Sequence, residues 1–295
     1  MHSFGKKPRT TPRAHPAETG TTEKRRRPFY AAAAGALALA GTAAGLWINA
    51  LESPSPHGPK HWLMPEYAAS ELGRVAAGSR FIESIDNPST YEILSAHTGP
   101  DVLPQATHVM VFDSFRAIRL AFSEHRIPGT VKGILYDNER WKGTPSVEQR
   151  QPFTYVRLAE QLVHAHGLLF MNAPAPDLNT TLEGNKQYDN YQGYLHLRLG
   201  ALAKYADVFD IQAQRAGGVS AYSSFVRRAA MQAKGINHDA TVLCGLTTAV
   251  STSRDLTREV RATENTCDGY WLNVIGGESG VATALPMLEN IYSIK

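Results

Sequence analysis

The chain has 295 residues, of which 43% are hydrophobic and 19% charged, and these proportions are typical of a globular protein and exclude an intrinsically disordered one. Its net charge of +3 is unevenly distributed. The first 27 residues contain eight lysines and arginines but only two glutamates, so they carry +6 and the remainder is near −3. A folded part with net negative charge does not offer a basic nucleic-acid-binding surface, so we expect no nucleic-acid partner.

The N-terminal segments predict an export or membrane signal. Residues 1–28 are basic and rich in threonine and proline, which indicates a disordered tail on the cytoplasmic side. Residues 29–51 contain no charged side chain and are long enough to span roughly 30 Å of hydrocarbon, so we interpret them as a signal or membrane-anchor helix. The Pro-rich residues 52–60 form a linker. This order predicts a domain outside the cytoplasm, secreted or held to a membrane through residues 29–51 if they remain uncleaved.

Two forms of that signal remain open. Residues 26–30, RRPFY, resemble the twin-arginine export motif, in which two arginines precede a variable residue and an aromatic one. Small residues at 38–40 or 42–44 would supply a cleavage site. A plain signal anchor is the alternative, and Arg25 departs from the Ser or Thr that is usual in the motif.

From Lys60 onward, short apolar runs alternate with helix-length amphipathic segments, which indicates repeated β-then-α units. Eight units over residues 61–292 match a closed (β/α)8 TIM barrel, typically about 250 residues long, and we predict one α/β barrel domain over residues 61–295. An open doubly wound sheet is the alternative, but it usually has a glycine-rich loop after its first strand, and none follows Met64. The predicted strands are HWLM (His61–Met64), RFIESID (Arg80–Asp86), HVMVFDS (His108–Ser114), GILYDNE (Gly133–Glu139), LLFMNAP (Leu168–Pro174), VFDIQAQ (Val208–Gln214), TVLCGLT (Thr241–Thr247) and YWLNVIG (Tyr270–Gly276). The clearest predicted helices are Phe153–His166, Tyr191–Tyr205, Ser220–Lys234, Ser253–Glu264 and Gly280–Tyr292.

The fourth predicted strand ends in two carboxylates, Asp137 and Glu139. In a barrel the C-terminal ends of the strands form the mouth where active sites lie. Strand residues two apart face the same way, so we expect Leu135, Asp137 and Glu139 to form one inward row. Other predicted strand ends carry side chains that we expect at the same rim as substrate-binding residues: Asp86, Asp113, Asn172, Gln212, Gln214, Trp271 and Asn273.

The carboxylate pair suggests acid catalysis. Two carboxyl groups a few ångströms apart cannot both ionise at low cost, so one holds a proton near neutral pH. A protonated carboxyl group in a cleft is a general acid suited to a glycosidic oxygen. The structural alternative is that the pair forms salt bridges with Arg140 or Lys142. No cofactor is expected, and because no Cys/His cluster has zinc-ligand spacing, no metal is expected either.

Two cysteines do not make a disulfide framework for a domain of this size. We interpret Cys244 and Cys267 as ordinary core thiols. A single bridge formed in an oxidising compartment is the alternative.

The end of the fourth strand resembles a known family. Family 18 glycoside hydrolases, the chitinase-like barrels, carry D-G-[IL]-D-[IL]-D-[WIF]-E there, and Gly133-Ile134, Asp137 and Glu139 match it. Trp271 matches the aromatic floor of the sugar subsite at the eighth strand. The resemblance implies that Glu139 protonates the leaving oxygen while Asp137 orients a substrate N-acetyl group acting as internal nucleophile.

The chain also departs from that family. Lys132 and Leu135 stand where the motif has supporting aspartates. The sixth strand offers Gln212 and Gln214 where plant-type members have a glutamine followed by a tyrosine. The specific match therefore covers a short motif, although the implied barrel covers the whole domain.

Together these features predict an extracytoplasmic glycoside hydrolase that acts on a polysaccharide or cell-wall glycan. Two other interpretations stay open. A barrel lyase or isomerase would bind a phosphate group at Gly217-Gly218 or at residues 276–280, where a helix start offers backbone N–H groups. A non-catalytic barrel would bind a glycan or another partner with its rim, in line with the missing aspartates.

Overall fold

A computed structural model describes residues 58–94, 102–182 and 188–292. Eight parallel strands close into a barrel in chain order, because β1 pairs with β8 as well as with β2. The prediction of a (β/α)8 barrel is therefore confirmed for this part of the chain. The strands are β1 (His61–Pro65), β2 (Thr90–Ile93), β3 (Thr107–Phe112), β4 (Gly133–Tyr136), β5 (Leu169–Asn172), β6 (Val208–Ile211), β7 (Thr241–Thr247) and β8 (Gly269–Asn273).

Helices connect most of the strands on the outside of the barrel. Two short 3-10 segments, Pro176–Leu178 and Leu199–Tyr205, complete the connections after β5. The helices are α1 (Glu66–Gly73), α2 (Ala76–Ile85), α3 (Phe115–Ser123), α4 (Ser146–Arg150), α5 (Pro152–Ala165), α6 (Asn179–Leu182), α7 (Asn190–His196), α8 (Val219–Lys234), α9 (Ser253–Thr263) and α10 (Glu278–Tyr292).

The predicted tail, the helix at 29–51 and linker residues 52–57 lie outside the described residues. Within the part of the chain that the structure describes, no helix has both the length and the apolar composition needed to cross a membrane.

Alternation along the strands divides the apolar side chains into two layers. Leu63, Val109, Leu135 and Leu243 belong to a small cluster that fills the barrel interior. The residues between them along the strands, such as Ile134, belong to a larger cluster between the barrel and its helices. The barrel is thus a packed core, and only the side chains near its C-terminal mouth are free to do chemistry.

The second predicted strand is wrong. Arg80–Asp86 lies mostly within helix α2, and the second strand is instead the four-residue segment Thr90–Ile93. Gly78, Phe81, Ile82 and Ile85 are the buried residues of α2, and their spacing of three and four is that of a helix face. The run Phe81-Ile82 was interpreted as a strand because a short apolar run fits both structures.

The predicted helices agree with the structure within a few residues, apart from Tyr191–Tyr205. That segment is divided at Arg198, which has the left-handed φ of 56°. Helix α7 ends at His196, two residues before that position, and a 3-10 segment follows it from Leu199.

The interpretation of the cysteines as core thiols is wrong in this structure. Cys244 on β7 and Cys267, two residues before β8, form a disulfide with their Cα atoms 6.1 Å apart. The bridge joins the two strands on the side that faces the helices, since Cys244 belongs to the outer cluster.

Candidate active site

The end of β4 is held in place by the strands on both sides. The amide of Asp137 donates to the carbonyl of Phe112 at 2.9 Å, and the amide of Ala173 donates to the carbonyl of Tyr136 at 3.0 Å. The Tyr136 hydroxyl donates to the carboxylate of Glu148 at 2.7 Å, and that carboxylate also accepts the first amides of α3. The backbone that carries the two candidate carboxylates is therefore fixed by hydrogen bonds before any substrate is considered.

Gln212 connects the ends of β4, β5 and β6. Its side-chain Nε2 donates to Oδ1 of Asp137 at 2.7 Å and to the carbonyl oxygen of Ala173 at 2.8 Å. The Gln212 side chain and Asp137 are both buried. This contact orients the Asp137 carboxyl group from the end of β6, two strands away, and agrees with an inward Asp137, as the alternation from Leu135 predicts.

Both carboxyl groups have raised pKa values. Burial raises the pKa of Asp137 well above its usual range, the negative charge of Glu139 adds to this, and the hydrogen bond from Gln212 acts in the opposite direction. Burial also raises the pKa of Glu139, the negative charge of Asp177 adds to it, and a hydrogen bond with Gln212 and the positive charge of Arg215 lower it. Asp137 is the more deeply buried of the two, whereas Glu139 remains partly open to solvent. The pair therefore combines a deeply buried carboxyl group, whose burial favours the protonated form, with a carboxyl group that a ligand can reach.

The structural alternative for the pair is not observed among the described residues. No salt bridge joins Asp137 or Glu139 to Arg140 or Lys142 there. The Arg140 side chain is exposed, and its backbone amide donates to Oδ1 of Asp177 at 3.0 Å. The cation whose charge reaches Glu139 is Arg215, in the loop after β6.

Of the other predicted rim residues, Asp113 lies near the pair and Gln214 lies against β7. Asp113 follows β3, and its negative charge contributes to the raised pKa of Asp137. Gly143 allows this arrangement, because a Cβ atom there would lie 1.7 Å from Oδ2 of Asp113. Gln214 folds over β7, where a Cβ atom on Gly245 would meet its amide carbon at 2.5 Å.

The predicted residues of β8 lie on the far side of the mouth. Trp271 is only 7% exposed and belongs to the interior cluster, and its buried indole N–H has no partner among the described residues. Asn273 is partly exposed at the end of the strand, where its Oδ1 accepts from the hydroxyl of Tyr67 at 3.2 Å. The most exposed aromatic rings that follow strands are Tyr67, after β1, and Trp141, after β4, at 49% and 46% exposure.

Two predicted site residues are wrong. Asp86 follows helix α2 and precedes β2, so it lies at the N-terminal end of the strands, where its Oδ1 accepts from the amide of Gln105. Asn172 is fully buried and its amide donates to the carbonyl of Tyr136. Its neighbours Met171 and Ala173 face the interior, so Asn172 faces the surrounding helices.

Three residues that matter here were not predicted. Asp210 is a fully buried carboxyl group on the inner face of β6, and the alternation that selects Gln212 and Gln214 selects it as well. Asp177 lies in the 3-10 segment after β5, and Arg215 lies in the loop after β6. Their sequence signal is weak, because charged residues in loops are common and their proximity to the pair depends on the closed barrel.

The glycine pairs of the phosphate alternative adopt turn conformations. Gly217 and Gly218 precede α8, and Gly276 and Gly277 precede α10, all with positive φ. Such angles are what glycine provides at a turn before a helix. Among the described residues, no group of three or more His, Cys, Asp and Glu side chains is arranged to hold a metal ion.

Comparisons with solved structures find similarity at low sequence identity. No family model and no curated protein matches the chain. Solved structures that resemble it include the spore cortex-lytic enzyme SleL of Bacillus megaterium, 9% identical over 82% of this chain and 76% of that one, with a TM-score of 0.47. A chitinase from Chromobacterium violaceum is 13% identical over 78% of this chain and 99% of that one, with a TM-score of 0.46. Triosephosphate isomerase from Bartonella henselae is 11% identical over 80% and 99%, with a TM-score of 0.41. The function must therefore be argued from the site itself.

Proposed function

We propose that this barrel is a glycoside hydrolase that acts on a polysaccharide or cell-wall glycan outside the cytoplasm, with Glu139 as general acid and Asp137 as its partner. The observation that carries the proposal is the pair itself at the mouth of the barrel, with Gln212 hydrogen bonded to Asp137 at 2.7 Å and no salt bridge from the neighbouring cations within the described residues. A structural carboxylate pair would be expected to have such a cation.

The different burial and contacts of the two groups favour different roles for them. Because its pKa is raised, Glu139 can hold a proton at a pH at which an exposed glutamate has lost it, and its partial exposure lets it meet a glycosidic oxygen. Asp137 is deeper and is oriented by Gln212, so it is suited to orienting a polar group of the substrate next to the reacting bond. The two groups titrate as a coupled pair, and we expect a bell-shaped pH profile for turnover.

Sugar rings would meet the rim residues rather than the deep interior. Tyr67 and Trp141 expose large parts of their rings, and an apolar sugar face stacks well on such a surface. Trp271, the predicted floor, is enclosed in the interior and would contact only the part of a sugar that enters the barrel.

The extracytoplasmic location is part of the proposal. It is supported by the basic and apolar segments at the N-terminus and by the disulfide between Cys244 and Cys267, because structural disulfides persist in oxidising compartments. The proposal includes membrane contact through residues 29–51 if this segment is not cleaved.

The test is a reducing-sugar assay on chitin, peptidoglycan and other polysaccharides with the wild-type chain, Glu139→Gln and Glu264→Gln. Glu139→Gln keeps the side-chain shape but removes the transferable proton, so turnover should fall by at least about 100-fold. Glu264 is an exposed carboxylate after α9, and its substitution should leave turnover unchanged. If the wild type binds a glycan but releases no sugar from any of these polymers, the barrel is a binding protein and the proposal is wrong.

A further inference from the structure

The loop after β4 places an aromatic ring between two cations at the mouth of the barrel. Arg140, Trp141 and Lys142 follow Glu139 directly along the chain, and all three side chains are exposed, that of Trp141 at 46%. Tryptophan is highly buried on average, because its large ring gains most from leaving water. An exposed indole two residues after the candidate acid therefore points to a ligand that covers it.

The backbone of this loop is fixed to α4 and to the end of β3. Gln149, a buried residue of α4, donates from its side-chain Nε2 to the carbonyl oxygens of Trp141 at 3.1 Å and Thr144 at 2.8 Å. The Thr144 hydroxyl in turn donates to the carbonyl oxygen of Asp113 at 2.7 Å. A ring carried on a fixed backbone loses little conformational freedom when a ligand binds, so the loop is preorganised for binding.

The cations beside the ring have no carboxylate partner in the described part of the chain. No salt bridge there includes Arg140 or Lys142. Asp177 accepts a hydrogen bond from the backbone amide of Arg140 at 3.0 Å and not from its guanidinium group. Arg215, in the loop after β6, is a third exposed cation, and its positive charge reaches Glu139. These cations lie at the mouth of a folded part whose net charge is near −3, so they are available to an anionic ligand.

The row of inward residues on β4 gives the direction in which a glycan would leave the barrel. Leu135 belongs to the interior cluster, Asp137 is buried, and Glu139 is partly exposed. Trp141 comes next along the chain and is exposed. A glycan with one sugar at Asp137 and its cleaved bond at Glu139 therefore extends outward toward the Trp141 ring.

We propose that residues 140–142 form an outer subsite that selects a glycan with carboxylate groups, in which Trp141 stacks on a sugar and Arg140 and Lys142 bind its carboxylate. The inference rests on the proposed function in taking the ligand to be a glycan, and it names the substrate class, an acidic polysaccharide. An arginine binds a carboxylate through two parallel N–H groups, and an aromatic ring offers its face to the apolar side of a sugar. A uronic acid and the lactyl ether of muramic acid both present such a carboxylate.

Isothermal titration calorimetry with two matched pairs of oligosaccharides tests the subsite. The full chain carries Glu139→Gln in these titrations, so that no bond is cut. One pair is a uronic-acid oligosaccharide and the same molecule after reduction of its carboxyl groups. The other pair is a peptide-free glycan strand that contains muramic acid and a chitin oligosaccharide of equal length. We expect the acidic member of one pair to bind about 5-fold more tightly than its neutral partner, in the range of exposed ion pairs, and that pair identifies the source of the carboxylate.

Two variants separate the effect of the charges from that of the ring. Arg140→Gln with Lys142→Gln should remove the preference, because it weakens binding of the acidic oligosaccharide alone. Trp141→Ala should weaken binding of both members of the pair by roughly 2- to 10-fold, because stacking does not depend on the carboxylate. Arg261→Gln with Lys132→Gln is the matched control. It removes the same charge from the last turn of α9 and from the residue before β4, at the opposite end of the barrel, and should change neither affinity.

Three results would overturn the inference. The first is equal affinity for the acidic and neutral members of both pairs, and the second is a preference that survives Arg140→Gln with Lys142→Gln. The third is equally tight binding of polyglutamate, an acidic chain without a sugar ring, which would indicate a general anion-binding surface. The substituted side chains are exposed, so all variants should melt near the wild-type temperature, which checks that they are folded.

Turnover distinguishes this inference from the proposed function. Binding that prefers the acidic glycan, without release of sugar by the wild type, would keep the subsite and reject the glycosidase. Hydrolysis that does not distinguish acidic from neutral glycans would keep the glycosidase and reject the subsite. With an active enzyme, Arg140→Gln with Lys142→Gln should raise KM for the acidic glycan and leave kcat near the wild-type value, as expected for contacts made equally in the ground and transition states.

Discussion

Two sectors of the same barrel treat buried polar groups differently. In the sector of β7, β8 and α9, the buried hydroxyl of Tyr270 donates to the carbonyl of Val260 and contacts Thr263, and a disulfide joins the strands. In the sector of β4 to β6, both side-chain polar atoms of Asn138 and both carboxyl oxygens of Asp210 are buried without partners among the described residues. The first sector is cross-linked and satisfies the Tyr270 hydroxyl, whereas the second holds a buried amide and a buried carboxyl group without partners among the described residues, as functional sites do.

Trp271 tests this comparison, because it lies on β8 in the first sector and its side chain belongs to the interior cluster. Replacing it with alanine would leave a large cavity in the interior cluster, so Trp271→Ala should lower the free energy of unfolding by about 3–5 kcal/mol in chemical denaturation. Trp271→Phe is the matched control: it keeps the aromatic volume in part and removes an N–H that has no partner among the described residues, so its loss should be much smaller. A small loss in Trp271→Ala with weakened binding of oligosaccharides would instead place the ring in a ligand surface.

The disulfide should account for a large part of the stability of its sector. Opening a loop that spans a sequence separation of 23 residues should cost roughly 3 kcal/mol, mainly by increasing the entropy of the unfolded chain. Cys244→Ser with Cys267→Ser should therefore lower the melting temperature while kcat, measured well below it, stays at the wild-type value. An equal melting temperature with and without a reductant would show that the bridge does not form in solution.

Glu259 offers a smaller test within the stabilised sector. Burial raises the pKa of Glu259 to about 7, above the value of an unfolded glutamate, so the fold favours its protonated form. This contribution to stability is complete below the unfolded pKa and is lost as the pH rises toward 7. Glu259→Gln should be more stable than the wild type at pH 8 by on the order of 1–2 kcal/mol, since solvent screens part of the charge, and equal to it at pH 4. A gain of the same size at both pH values would mean that the carboxyl charge is not responsible.

The barrel was predictable because its sequence signal is repeated in many short strand and helix segments. Because eight strand-and-helix units support the prediction of a barrel, one wrongly placed strand does not change it. The wrong strand was β2, which is only four residues long and includes the buried Glu92. Asp86 was lost with that error. The closure of the sheet and the positions of the other seven strands do not depend on it.

The site was predictable only in part. The carboxylates after β4 followed from their position at a strand end, but the contact of Gln212 with Asp137 depends on how the barrel closes, which the sequence does not state. Asn172 was misplaced because two neighbouring residues at a strand end face opposite sides, and composition does not tell which one faces inward. Asp210 was in the predicted strand and on the same face as Gln212, so stricter use of the alternation would have found it.

We infer that Asp137 and Glu139 serve catalysis and not stability. The most direct test measures melting temperature and turnover side by side for Asp137→Asn and Glu139→Gln. The raised pKa values mean that the ionised forms destabilise the fold as the pH rises, and Asn at position 137 keeps an oxygen that accepts from Gln212. We expect both variants to melt at or above the wild-type temperature at pH 7. We expect Glu139→Gln to lose at least about 100-fold in turnover. Lower melting temperatures with turnover unchanged would contradict the account.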